Sequence, residues 1–292
     1  FFKQKTAYEM LRSLVGSEMC IRDRWLTMRA LVYSFDRIIR RGQVSEAAKH
    51  RFIEFARNRL GKNPAREAFK EKYGDYPPGF LVISPSRACN LNCTGCYAGT
   101  EKSPKTLNFA TFDRILNEAS DLWGMCFVVI SGGEPFMYKS DGKDLLDMAE
   151  RHPDMFFLVY TNGTQIDKQT AARMGELGNI TPAISVEGKM ATTEARRGEG
   201  VFGKVMSAFE NLRTSGVPFG LSMTATRHNC DELFSDEVVK FYFEEQGAMY
   251  AWVFQYMPIG KNYDLSLMIT PQQRLRLQRR MWEVIKDCLL YT

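Results

Sequence analysis

A chain of 292 residues that is 45% apolar and 25% charged has the composition of an ordinary globular protein with room for one large domain or two medium ones, which excludes a disordered, collagen-like or minimal disulfide-stapled chain. Lysine plus arginine at 39 against aspartate plus glutamate at 34 leaves +5, too slight and scattered to argue for nucleic acid or a membrane surface, and no apolar run is long enough for a bilayer span. Seven cysteines are too sparse for a disulfide framework and suit a reducing, cytoplasmic setting; three of them crowd into eight positions.

Phe1–Arg24 resembles the translation of a sequencing adapter and Cys288–Thr292 the start of its counterpart, so both ends are expected to be extraneous to the fold. The competing reading of the first segment is an amphipathic helix, for which Tyr8, Leu11 and Val15 have the right spacing. Excluding both ends removes Cys20 and Cys288 and implies a natural chain that continues past Asp287.

Residues 25–79 read as a helical segment. Leu31, Phe35 and Ile38 recur at helical spacing, and Phe52, Phe55, Ala56 and Leu60 repeat the stripe behind Ser45 as N-cap. Gly74-Asp-Tyr-Pro-Pro-Gly79 ends it, because paired prolines forbid helix and glycine tolerates the bend.

From 80 to 287 short β-rich runs alternate with longer amphipathic ones. The strand candidates are Phe80–Ser84, Cys126–Ser131, Phe156–Thr161, Ile180–Val186, Pro218–Ala225 and Trp252–Met257. Strong helical stripes follow the first (Phe112, Ile115, Leu116, Ala119, Leu122) and the fourth (Phe202, Val205, Met206, Phe209, Leu212), with weaker helices over Asp144–Arg151, Asp167–Leu177, Asp236–Glu245 and Thr270–Ile285. The expected fold is α/β: an incomplete (β/α)6 TIM-like barrel preceded by a small helical segment, with an open doubly wound sheet as the alternative. Either one places chemistry in loops after the carboxyl ends of the strands.

The first strand runs straight into Cys89-Asn-Leu-Asn-Cys93-Thr-Gly-Cys96, so three thiolates share one short loop. A structural zinc site or an ordinary 4Fe-4S cluster wants four protein ligands, and His50 and His152 lie elsewhere in the chain. Three ligands leave one metal position open, which is where a substrate binds.

This C-x3-C-x2-C spacing directly after a strand resembles the signature of the radical S-adenosylmethionine (radical SAM) enzymes, near their SPASM/maturase and cofactor-biosynthesis branches. The resemblance implies that Cys89, Cys93 and Cys96 hold a 4Fe-4S cluster whose unique iron chelates S-adenosylmethionine. Reductive cleavage would then yield a 5′-deoxyadenosyl radical that takes hydrogen from an unknown substrate, peptide or small molecule. It further implies oxygen sensitivity and a low-potential electron donor such as flavodoxin or ferredoxin, with no nucleic-acid partner. Family members usually carry an aromatic residue before the third cysteine; Gly95 stands there instead, at a position used through its backbone against adenine.

Other segments match in order. Gly132-Gly133-Glu134, after the second strand, is similar to the family's GGE motif, which binds the methionine amino group; glycines permit close backbone approach and a carboxylate can pair with an ammonium. Ser185-Val-Glu187-Gly188 with a later Arg196-Arg197-Gly198 is similar to an S-x-D-G segment and later R-G. It implies Ser185, Glu187 and Arg197 as ribose or carboxylate contacts, although the two arginines also fit a solvated approach to the next helix. Asn162-Gly163 ends the third strand as a candidate ligand or a routine turn, and Gln255-Tyr256-Met257-Pro258-Ile259-Gly260 ends the sixth, with Met257 implied to lie along adenine. Cys126 reads as a buried strand residue, while Cys230 and His228 follow the fifth strand without an assigned role. The competing function is a non-catalytic zinc- or iron-sulfur-binding module. In the family branch that modifies peptides or proteins, a cysteine-rich carboxyl-terminal extension of the SPASM type with further clusters would begin at the point where this chain stops.

Overall fold

The strands pair in the order in which the chain makes them. In the computed structural model, which describes residues 17–60, 63–98, 105–259 and 263–287, β1 (Leu81–Ile83) and β2 (Phe127–Ile130) are followed by a small antiparallel hairpin, β3 (Lys139–Ser140) and β4 (Lys143–Asp144). Then come β5 (Phe156–Thr161), β6 (Ile180–Ser185), β7 (Gly220–Ala225) and β8 (Ala251–Gln255). The main sheet has six strands, all neighbours parallel, in the order β1-β2-β5-β6-β7-β8. A doubly wound sheet would reverse direction at a switch point. An order that never reverses, with right-handed crossovers, keeps the helices on one face and curls the sheet into a half-barrel.

The crossovers are α4 (Phe109–Trp123), α5 (Leu145–Arg151), α6 (Lys168–Leu177), α7 (Met190–Arg197) with α8 (Val201–Thr214), and α9 (Asp236–Val239) running into a π-helical turn at Lys240–Glu245; α10 (Pro271–Asp287) follows β8. Caps set their starts: Asn108, Asp167 and Ser235 side chains accept the third backbone N–H, and Asp144 closes a capping box with Asp147. Two elements differ from expectation. The hairpin turns on Asp141 (φ 54°) and Gly142 (φ 75°), an Asp-Gly pair suited to a two-residue turn. Arg196 and Arg197, expected ahead of the next helix, instead close the last turn of a separate helix, α7, for which no expectation was made.

Because side chains alternate along a strand, the sheet has two chemically different faces. Val128, Ile130, Phe157, Val159, Ile180, Ile184, Leu221 and Met223 pack outward on Phe112, Leu116, Met174, Val205 and Phe209 of the helices. Val129, Leu158 and Ala183 face the concave side with Phe127, Tyr160 and Tyr250.

Ahead of the sheet lie α1 (Ser17–Arg40), α2 (Glu46–Leu60) and α3 (Pro64–Tyr73). Helix α1 runs through the expected boundary at Arg24, whereas residues 1–16 and 288–292, where the remainder of the adapter-like ends falls, are outside the described residues. Ser45 caps α2 as expected, its hydroxyl accepting from Ala48 N–H at 3.1 Å. From α2, Phe55 meets Phe127 and Phe156 at 5.9 and 5.3 Å between ring centres, so these helices close the amino-terminal floor of the half-barrel. Among the described residues no helix is long and apolar enough to cross a membrane.

Asn179 ties that floor together. Its buried Nδ2 donates to the carbonyls of Ala149, His152 and Met155 at 2.9, 3.1 and 3.1 Å, joining the end of α5 to the start of β6. Asn179→Ala strands these acceptors and is expected to cost about 1–3 kcal/mol. A lowered urea midpoint with unchanged slope checks this; a midpoint within error of the parent would show that water replaces the amide.

Candidate active site at the cysteine loop

The loop between β1 and α4 carries Cys89, Cys93 and Cys96 on the rim of the half-barrel. Ser86 and Thr106 bridge its base, their hydroxyls 3.2 Å apart. Gly132 and Gly133 meet this loop edge on. A Cβ on Gly132 would stand 2.5 Å from the Ser86 carbonyl oxygen, and one on Gly133 would stand 2.1 Å from that of Ala88. The glycines are therefore required first by the cysteine loop, whose carbonyls at Ser86 and Ala88 accept from Gly133 and Glu134 N–H at 3.0 and 2.7 Å.

Glu134 turns inward. It is buried, and its carboxylate accepts from Thr161 Oγ1 and Asn162 N–H, each at 2.7 Å, and from Phe136 N–H at 3.1 Å. Burial pushes its pKa up, and these donors pull the other way. Asn162 in turn donates to Asn90 Oδ1 at 2.9 Å and lies 3.9 Å from Cys89 Sγ, while its Oδ1 accepts from Thr164. Glu134 and Asn162 thus form a relay from β2 through β5 to the first cysteine.

A second clamp holds the middle cysteine. Glu187, fully buried at the end of β6, is paired by Arg196 and Arg197 from the last turn of α7 and also accepts from Thr224 N–H at 3.2 Å. The guanidinium-bearing side chains are only 15% and 9% exposed, so they do not form a solvated approach. Arg196 also joins the loop twice: Thr94 N–H donates to its carbonyl at 2.9 Å, and its Nε donates to the Thr94 carbonyl at 3.2 Å. Burial raises the Cys93 pKa, opposed by the charges of Arg197 and Arg196. Burial likewise raises that of Cys89, and the other two thiolates add to the rise.

Gly95 (φ 67°) lies under the Tyr256 ring: a Cβ would come within 2.6 Å of Tyr256 Cε2 and 2.9 Å of Leu267 Cδ1. The space beside the third cysteine is filled by an aromatic ring from beyond β8. Tyr256 is brought against the loop, and its neighbour Met257 is 63% exposed. Strand alternation was the available signal, since Trp252, Phe254 and Tyr256 share one parity. Sequence reasoning also missed Asn90 and the bond between Tyr97 Oη and Ser131 Oγ at 2.7 Å. Ser185 is buried on the concave side, opposite Ser222 of β7. Cys230 is buried in the helix-side core, Cys126 is half-buried, and His228 is exposed.

Cys89, Cys93 and Cys96 are all free and partly buried. Three soft sulfurs that sense one another's charge fit an iron–sulfur cluster in donor type, although among the described residues no three His, Cys, Asp or Glu side chains are drawn close enough to hold a metal ion as they stand.

Residues 83–234, spanning the cysteine loop, both clamps and the β7 loop, match the family described as the radical SAM superfamily. Over 165 residues the chain is 33% identical to mycofactocin maturase MftC of Mycobacterium ulcerans, a match covering 56% of this chain and 44% of that protein. It is 29% identical over 157 residues to Fe-coproporphyrin III synthase of Methanosarcina barkeri, covering 52% of this chain and 38% of that one. The matched region is therefore less than half the length of either relative. The crystal structure of Streptococcus suis SuiB bound to S-adenosylmethionine has the same fold, with a TM-score of 0.64 at 22% identity over 76% of this chain and 51% of that one.

Proposed function

The chain belongs to the radical SAM superfamily, a superfamily of enzymes, and on that premise we propose that its cysteine loop is the site of reductive S-adenosylmethionine cleavage. The observation that carries this reading is the convergence on one loop of the segments the family match spans: Gly132-Gly133-Glu134 against Ser86 and Ala88, and Arg196 against Thr94. Cys89, Cys93 and Cys96 would hold a 4Fe-4S cluster, which with S-adenosylmethionine would supply the one-electron chemistry for radical hydrogen abstraction from substrate.

The chain's own residues do the positioning. Gly132 and Gly133 bring the β2 backbone against the loop, Glu134 and Asn162 fix the Cys89 end, and Glu187 with Arg196 and Arg197 fixes Cys93 and places positive charge beside its thiolate. Gly95 keeps the Cys96 end low enough for Tyr256 to cover it. Ser185, buried on the concave side, is assigned to the nucleoside, and Met257, exposed just past β8, to the adenine. The electron would come from a low-potential donor of the flavodoxin or ferredoxin kind. The names of the relatives divide between a mycofactocin maturase and an Fe-coproporphyrin III synthase, and the proposed first step is independent of which substrate follows.

Anaerobic purification, iron and sulfide reconstitution and incubation with dithionite and S-adenosylmethionine test the reading. A brown protein that forms 5′-deoxyadenosine is expected. Zinc in place of iron, with no such product, would overturn it in favour of a metal-binding module.

A further inference from the structure

A cavity of about 470 Å³ occupies the floor of the half-barrel on the far side from the cysteine loop. Its walls include Phe127, Leu158 and Trp252 of the sheet, Phe52 and Phe55 of α2, and Leu31 of α1, and no charged residue lines it. Above it stand Tyr160 and Phe254, edge to face with ring centres 5.3 Å apart. They are the next same-parity positions after Leu158 and Trp252 on β5 and β8, so this aromatic pair stands between the cavity and the loop. Beside Tyr160 in register, β6 carries only the small Ala183, and the missing Cβ of Gly220 on β7 makes room for the Tyr250 ring. On its upper side Tyr160 senses Tyr97 of the cysteine loop, and burial pushes its phenol pKa up to about 12, so it stays neutral.

We propose that this floor cavity is a binding site for an uncharged, apolar small molecule, separate from the cysteine-loop site. Its volume lies within the roughly 300–1,000 Å³ of small-molecule pockets. A charged ligand would lose its hydration with no counter-charge in the walls. A peptide segment would bring N–H and C=O groups to a lining of mainly aromatic and aliphatic side chains, where the Thr181 hydroxyl is already engaged by the Pro218 carbonyl at 3.0 Å and Tyr250 Oη at 2.8 Å. An apolar molecule needs no such partners and gains from leaving water.

Titration of the full chain with N-phenyl-1-naphthylamine, an uncharged fluorophore, tests this without requiring a cluster, so failure of S-adenosylmethionine cleavage leaves it standing. Saturable binding to a single site is expected. Ala30→Trp, which places an indole in the cavity, should weaken it by at least about tenfold. Trp252→Phe should keep the affinity and lower tryptophan-sensitised dye emission, a readout that survives if the bulkier variant does not fold. Non-saturable binding, or sensitised emission unmoved by Trp252→Phe, would overturn the proposal.

Discussion

Cys93→Ala is expected to abolish 5′-deoxyadenosine formation and to remove most of the iron taken up on reconstitution. Among the three loop cysteines it is the one beside both buried arginines, and its neighbour Thr94 is bonded at both its N–H and its carbonyl to Arg196. A three-sulfur set has no spare ligand, so loss of any member leaves too few protein bonds to hold a cluster. Cys230→Ala provides the contrast: this thiol is 3% exposed in the helix-side core, with Sγ 3.9 Å from the Arg227 carbonyl, and its removal should leave iron content unchanged. Iron analysis, the visible spectrum and product chromatography on the two variants check the pair. Full iron and product in Cys93→Ala would sink the assignment of the cluster to this loop.

Glu187→Gln is expected to cost about 3–5 kcal/mol, because it leaves two guanidinium groups inside the protein without the carboxylate that offsets their desolvation. Glu187 is fully buried, and Arg197 is held protonated by it despite burial. The second consequence reaches the cysteine loop: if Arg196 shifts, both of its bonds to Thr94 are lost, so iron uptake should fall as well. Replacing Glu187, Arg196 and Arg197 together with apolar residues of similar volume should recover stability while leaving iron uptake impaired, since burying a neutral cluster avoids the unpaired charges. Denaturant unfolding near pH 7 measures the first effect and iron stoichiometry the second. A single-variant loss below about 1 kcal/mol would mean that water reaches the arginines and the clamp is not a buried one.

Strand positions were largely legible because they depend on local periodicity: Phe156–Thr161 coincides with the expected strand, and the others agree to within one or two residues at each end. Helix starts at Ser45, Asp144 and Asp167 were legible for the same reason, since a cap bonds only three residues ahead. The hairpin at Asp141-Gly142 and helix α7 were missed; the first has two-residue strands, and the second has few apolar positions to mark a face. At the site, the side-chain type of Glu134, Asn162 and Glu187 was visible, but their partners were not. Glu134 meets a threonine 27 residues away, Asn162 an asparagine 72 residues away, and Glu187 the backbone of Thr224.

By itself the sequence determined an α/β chain with six parallel-type strands and three cysteines crowded on the loop after the first, because spacing within a few residues is a property of local backbone geometry. Only the tertiary structure decided between a half-barrel and a doubly wound sheet, since that choice lies in strand order. It also decided what the glycines face and which aromatic covers Gly95. Those contacts join residues brought together by the curl of the sheet, and no periodicity along the chain records them.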